Sequence, residues 1–147
     1  MSKFFQAFLT GSFFTFILDF QLFLGIKLNY LDYYEIKEYY NVLFAEHQNI
    51  LYIVPLVIFI GFITTYLNST KVSIGIMSTL FFITMLVFIP SIGREVGAKI
   101  LQKKDVRYQD SKFIYRGTLY YEGRQKVTIF DDELQRLITL NKKDLHR

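Results

Sequence analysis

Two stretches of this chain carry no charged residue: Gln48 to Thr70, 23 residues, and Val72 to Gly93, 22 residues. A third, Phe4 to Ile26, is interrupted only by Asp19. A bilayer core about 30 Å thick takes roughly 20 apolar residues to cross as a helix, and in lipid only a helix or a closed barrel bonds all its own peptide groups. Three such runs in 147 residues predict an α-helical membrane protein with spans at about 7–26, 50–67 and 72–90. With 52% hydrophobic and 20% charged residues, an ordinary soluble enzyme, a DNA-binding domain and a disordered tail are excluded. The first run is longer than the roughly 7–15 residues of a signal-peptide core, and no A-x-A site follows it. It is read as a retained span.

The remaining charge is sorted by region. Residues 28–47 hold Asp32, Glu35, Glu38 and Glu46 against Lys37 alone, whereas residues 94–126 hold nine Lys or Arg against four acids. In a membrane protein Lys and Arg near the span ends stay in the cytoplasm, and acids count for little. With three spans, the loop after the first span and the carboxyl terminus share a side. Placing that side in the cytoplasm puts Lys27, Lys37, Arg94, Lys99, Lys103, Lys104, Arg107 and Lys112 inside and leaves Lys3 and Lys71 outside. The predicted topology is amino terminus out, carboxyl terminus in. A composition rich in Phe, Ile, Tyr, Lys and Asn and free of Cys and Trp suits an AT-rich bacterial genome, so the membrane expected is the bacterial inner membrane.

Between the first two runs, Tyr33, Ile36, Tyr40, Leu43, Phe44 and His47 fall at helical spacing. Tyrosine rings favour the membrane–water boundary, which predicts an interfacial amphipathic helix over about 30–47. Asn68 to Lys71 is a short turn that makes the second and third spans a hairpin, and Pro90 ends the third. Residues 91–104 form a basic juxtamembrane segment. Its Gly93 and Gly97, four apart, either let another helix approach closely or loosen the segment. From Val106 the pattern alternates. Residues 112–121, 125–130 and 134–140 read as strands joined by turns at 122–124 and 131–133, and Gly117 marks a bulge or a tight bend. The chain thus divides into a membrane domain, 1–104, and a cytoplasmic β module, 105–147, an antiparallel meander expected to curl into a small SH3-like half-barrel. A meander of about 35 residues is poorly stable alone and needs the membrane-proximal segment, a partner or a second copy to rest on.

Asp19 is the sharpest chemical feature. A carboxylate at the centre of a span costs roughly 2.5–3.5 kcal/mol, and no Lys or Arg lies in the three runs to pair with it. Ser12 and Thr15 share its helical face, and Tyr52 and Thr84 are predicted at similar depth, able to donate hydrogen bonds. Asp19 then acts as a hydrogen-bonded tie between helices, as a contact to another subunit, or as a proton or cation relay. The cluster Arg94, Lys99, Lys103, Lys104 and Arg107 reads as an anchor on the anionic inner leaflet, worth about 1 kcal/mol per cation, with no motif for nucleic acid.

No catalytic or nucleotide-binding motif is present, Cys is absent, and His47 and His146 lie far apart. Asp131-Asp132-Glu133 reads as a solvated turn rather than a metal site. No enzyme activity, cofactor, metal or small-molecule substrate is expected. The function expected is that of a non-catalytic accessory or scaffold subunit of a membrane assembly. Its partners are the bilayer and other membrane subunits or copies of itself, and its β module makes a protein contact. The alternative is a homo-oligomeric transport or channel component built around Asp19.

Overall fold

The computed structural model describes residues 2–110 and 113–146; Lys112 and the side chain of His146, both considered above, lie outside the described part. Five helices come first: α1 (Lys3–Ile26), α2 (Tyr40–Glu46), α3 (Ile50–Tyr66), α4 (Thr70–Met85) and α5 (Pro90–Leu101). An antiparallel sheet follows: β1 (Lys103–Asp110), β2 (Ile114–Glu122), β3 (Lys126–Asp131), β4 (Arg136–Asn141) and a two-residue β5 (Leu145–His146), ordered β4-β3-β2-β1-β5. A short 3-10 turn, Lys142–Asp144, leads into β5.

Two helices are long and apolar enough to cross a membrane by length and composition, Lys3–Leu31 and Thr70–Phe88. The pair α2 and α3, bent by 89° between them, makes a third if the two are one broken span. Ser2 caps α1 by accepting from the Phe5 N–H, and Asn49 caps α3 by accepting from the Leu51 N–H at 3.0 Å. Pro90 opens α5, where its fixed φ fits and its missing N–H costs nothing.

The segment expected as one interfacial helix over 30–47 is instead three pieces. Helix α1 runs on through a π-helical turn, Lys27–Leu31, closed by the Asp32 N–H on the Lys27 carbonyl at 3.0 Å, and the Ile36 N–H then meets the Leu31 carbonyl at 2.9 Å. Glu35 then takes a positive φ of 56°, which no helix accommodates. The chain continues without regular structure to Tyr39, with the Glu38 N–H on the Ile36 carbonyl at 2.9 Å, and in the 36–47 stretch only Tyr40–Glu46 is helical.

Helices α1 and α3 pack antiparallel with their backbones nearly touching. A methyl group on Gly11 would overlap the Val57 carbonyl oxygen, and one on Gly61 would overlap that of Ala7. Ala7 and Gly11, four apart, are the small residues that permit this approach. Thr10 Oγ1 lies 3.1 Å from Thr64 Oγ1 across the same seam. Helix α4 is different: none of its 16 residues is buried.

The phenylalanines of α1 that face outward end at Phe20. On the amino-terminal side Phe4, Phe8, Phe13, Phe16 and Phe20 stand between 41 and 76% exposed, whereas Phe23 and Ile26 beyond them are buried. The main core therefore lies past the helical layer, where Phe23, Ile26, Tyr30, Leu31, Ile36, Leu43, Val87, Leu101 and Tyr121 meet. From Lys3 to Phe20, and along α3 and α4, each arm is about 24–27 Å long.

The sheet has its own smaller core of Leu119, Val127 and Ile129. The three predicted strands are present as β2, β3 and β4, and β1 and β5 are additional. Bulges lie where β1 shifts register between Lys103 and Val106, with Asp105 at φ 55°, and where β2 shifts between Leu119 and Tyr121. Gly117 itself stays in register with Val106 and Asp131; glycine is needed there because the Phe130 carbonyl occupies the place of a Cβ. The second bulge reverses side-chain alternation, so Leu119 joins the sheet's core while Tyr121 joins the core against the helices.

The seam between α1 and α3 gives a paired expectation. Gly11→Ala or Gly61→Ala should lower stability in detergent by about 1–3 kcal/mol, the usual cost of overpacking. Gly75→Ala, with nothing within 4 Å of the added methyl, should be neutral or gain up to about 1 kcal/mol from helix propensity. Melting temperatures of the three variants decide it, and equal losses in all three would contradict the seam.

Candidate functional site

Apart from the threonine contact in the α1–α3 seam, a set of polar side chains lies at the other end of the layer. Gln48, in the corner between α2 and α3, donates from Nε2 to Asp19 Oδ2 at 2.6 Å. Two residues along and on the other side of α1, Thr84 near the end of α4 donates to Gln21 Oε1 at 3.0 Å. Tyr40 of α2 donates to the Phe20 carbonyl at 3.1 Å, and its ring meets Phe20 edge to face. Asp19 is therefore level with the first residues of α3 and the last of α4, not with their middles. Its role in this geometry is to hold the 89° corner, together with Phe44, whose ring packs on Phe16, Phe20 and Phe23.

The predicted partners of Asp19 are not the observed ones. Thr84 bonds Gln21, and Tyr52 is 72% exposed on the outer surface of α3. Thr15 is buried on α1, and neither its Oγ1 nor the Nε2 of Gln21 has a hydrogen-bond partner among the described residues. The sequence reading missed Gln21 and Gln48 as partners because an amide at the edge of an apolar run looks like its boundary. The signal was their placement: each is an amide facing a polar residue at the same end of a neighbouring helix.

The basic cluster does not converge on one point. Arg94 lies over the Tyr33 ring, 4.4 Å from its centroid, and donates to the Pro90 carbonyl. Lys99 pairs with Glu95 one turn back at 2.9 Å, both exposed. Lys103 reaches Glu122 at 3.4 Å, while Lys104 and Arg107 stand exposed along β1, the latter opposite Arg116. Arg94 and Lys99 thus belong to α5, and the other three to the sheet.

Glu122 ties this sheet together. Its Oε1 meets Lys142 Nζ at 2.9 Å, so one carboxylate on β2 holds both β1, through Lys103, and the 3-10 turn before β5. The Lys142 hydrogen bond holds the Glu122 carboxyl below the usual glutamate range against the opposing effect of burial, and the charges of Lys142 and Lys103 add to it. Tyr121 beside it is buried, which pushes its phenol up, and the nearby Glu38 and Glu46 charges push the same way. Asp131, predicted to lie in a solvated turn, is buried and accepts from the N–H groups of Glu133 and Leu134 at 2.9 and 2.8 Å, fixing the β3–β4 turn. Among the described residues no group of three or more His, Cys, Asp or Glu side chains could hold a metal ion.

Two measurements test these contacts. Asp19→Ala, Gln48→Ala and the double variant should show a coupling of about 0.5–3 kcal/mol, the range spanned by neutral and charged hydrogen bonds; additive losses would remove the corner-holding role. The folded sheet should also be limited at both pH extremes. The Glu122 contribution is complete above the ordinary glutamate value of 4.5 and is lost as pH falls through the lowered folded value. The Tyr121 contribution is complete below the ordinary phenol value of 10.0 and is lost as pH rises beyond it. In a pH series of melting curves, Glu122→Gln should flatten the acid limb and Tyr121→Phe the alkaline one.

No family model, no curated protein and no solved structure matches this chain.

Proposed function

We propose that this chain is a small integral protein of a bacterial inner membrane, without catalytic activity, that serves as an accessory or scaffold subunit of a membrane assembly. In this reading α1, α3 and α4 cross the bilayer with the amino terminus outside, and the sheet lies in the cytoplasm as an SH3-like module that contacts a protein. The exposed apolar belt that stops at Phe20 supports the placement of the bilayer, since water would not tolerate so many bare Phe and Ile side chains on three adjacent helices. The strand order β4-β3-β2-β1-β5, with a 3-10 turn before the last strand, supports the SH3-like reading. The excess of Lys and Arg on one side supports the orientation.

The observation that carries the subunit reading is α4. It touches α1 and α3 but buries none of its residues, while α1 and α3 are locked to each other through glycine. A helix so loosely held offers most of its surface to a neighbour, and in lipid that association is driven by packing. On the cytoplasmic side β4 is an edge strand whose outer hydrogen-bonding groups are free of the sheet, which suits strand addition by a partner. The transport alternative has less behind it, because Asp19 is engaged by Gln48 at the end of the layer and not displayed along a path.

The native mass of the complex, taken after gentle solubilisation from its own membrane and with its components identified, tests the proposal. A heteromeric assembly of fixed stoichiometry is the expected result. A ring of identical copies would favour transport around Asp19, and a monomer would remove both readings.

A further inference from the structure

Between the 37–46 segment and the β2–β3 turn lies a cleft of about 550 Å³. One wall is the exposed side of α2 with the residues leading into it, and the other is the turn at 124–126. Five charged side chains line it: Lys37, Arg124 and Lys126, against Glu38 and Glu46. Both acids come from the 37–46 wall and the turn adds cations only, so the two signs face each other across the cleft. It suits a ligand that carries both charges.

Glu46 is the deep member. Its side chain is 12% exposed, and Oε2 is 3.4 Å from the Tyr121 hydroxyl. Its other oxygen, Oε1, is shielded from solvent and accepts no hydrogen bond from the described residues; Arg124 Nε stands 3.4 Å away as an ion pair. Arg124 is itself 84% exposed, so the cation reaches in from outside and does not fill the space. A shielded carboxylate oxygen without a donor is costly, and a primary ammonium brings three donors on a compact point charge. Towards the mouth, Lys37, Lys126 and Arg124 offer the donors that a phosphate takes.

We propose that this cleft binds a phosphoethanolamine group, the ammonium seated on Glu46 and Glu38 and the phosphate held by Lys37, Lys126 and Arg124. Helix α2, which forms one wall, lies across α1 at Phe16 to Phe23, where the exposed apolar belt ends. That is the depth of lipid headgroups, so the source of the group is a phosphatidylethanolamine headgroup. The source rests on the membrane reading above; the chemistry of the cleft does not. An anionic headgroup would leave the two carboxylates of the lining without a partner, and the need for N–H donors selects against a trimethylammonium.

The full-length protein, purified in neutral detergent, is mixed with phosphatidylethanolamine, phosphatidylcholine or phosphatidylglycerol, and the retained lipid is measured by native mass spectrometry. Free phosphoethanolamine is titrated in parallel. The expected result is preference for phosphatidylethanolamine over both other lipids. Arg124→Gln and Lys126→Gln, both at exposed positions, should each weaken it about tenfold with the melting temperature unchanged. Glu46→Gln keeps the Tyr121 contact and should weaken it similarly. Equal retention of phosphatidylcholine, or a preference for phosphatidylglycerol, would overturn the assignment. Binding of free phosphoethanolamine without retention of the lipid would uphold the cleft and overturn the lipid source. An alkaline carbonate wash that strips the chain from its membrane would remove the membrane reading alone, and the free-ligand titration would still decide the cleft.

Discussion

Tyr30 is the residue on which the helices and the sheet both close. It is fully buried, its ring lies against Gly97 of α5, and its hydroxyl donates to the Tyr120 carbonyl of β2 at 3.0 Å. A phenol suits this position because it has a large apolar body to fill a core and one polar tip to satisfy a strand carbonyl. Around it Tyr34 and Tyr120 stack edge to face, and Tyr121 enters the same core from the sheet. The π-helical turn at Lys27–Leu31 matters here. The extra residue per turn is what lets Asn29 meet the Val87 carbonyl while Tyr30 meets α5. Gly93 and Gly97 then have a defined role, as the face of α5 that admits Asn29 and Tyr30.

The small sheet draws its stability from this junction as much as from its own interior. Leu119, Val127 and Ile129 are few for a free-standing module, and the β2 bulge at 119–121 turns one further aromatic side chain onto the helices. The Glu122 clamp closes the far side by joining β1, β2 and the turn before β5 through one carboxylate. Helical part and sheet are thus one packed unit with two cores, rather than a membrane anchor trailing an independent domain.

What the sequence disclosed follows from which signals are local. The three apolar runs are helices because nothing but their own peptide groups and their length decides them, and the alternation in 112–121, 125–130 and 134–140 announced strands for the same reason. The segment 30–47 misled because Tyr33, Ile36 and Tyr40 do fall at helical spacing, while the break depends on a single left-handed residue, Glu35, and on tertiary contacts of Tyr30. Strand β1 was hidden by its charge: Lys103, Lys104, Asp105 and Arg107 mask the inward pair Val106 and Tyr108. Asp19 was legible as a polar residue needing a partner. Its position at the end of the layer was not, because depth is set by where the neighbouring helices begin and stop. The charged cleft could not be read at all, since its lining comes from segments some 80 residues apart and no spacing rule joins them.

Helix α1 and its π-helical extension form one continuous rod from Lys3 to Leu31, of which only the part up to Phe20 belongs to the exposed apolar layer. The remaining eleven residues project about 16 Å beyond it and carry Tyr30 at their end. Mechanically this is a lever with its fulcrum at the Asp19–Gln48 corner. In a bilayer, a helix adjusts to hydrocarbon thickness by tilting, and a rod of this length would swing its far end sideways by several ångströms for a tilt on the order of ten degrees. In the membrane placement proposed above, the sheet packs on that end through Tyr30, so lipid thickness would bear on the position of the β4 edge.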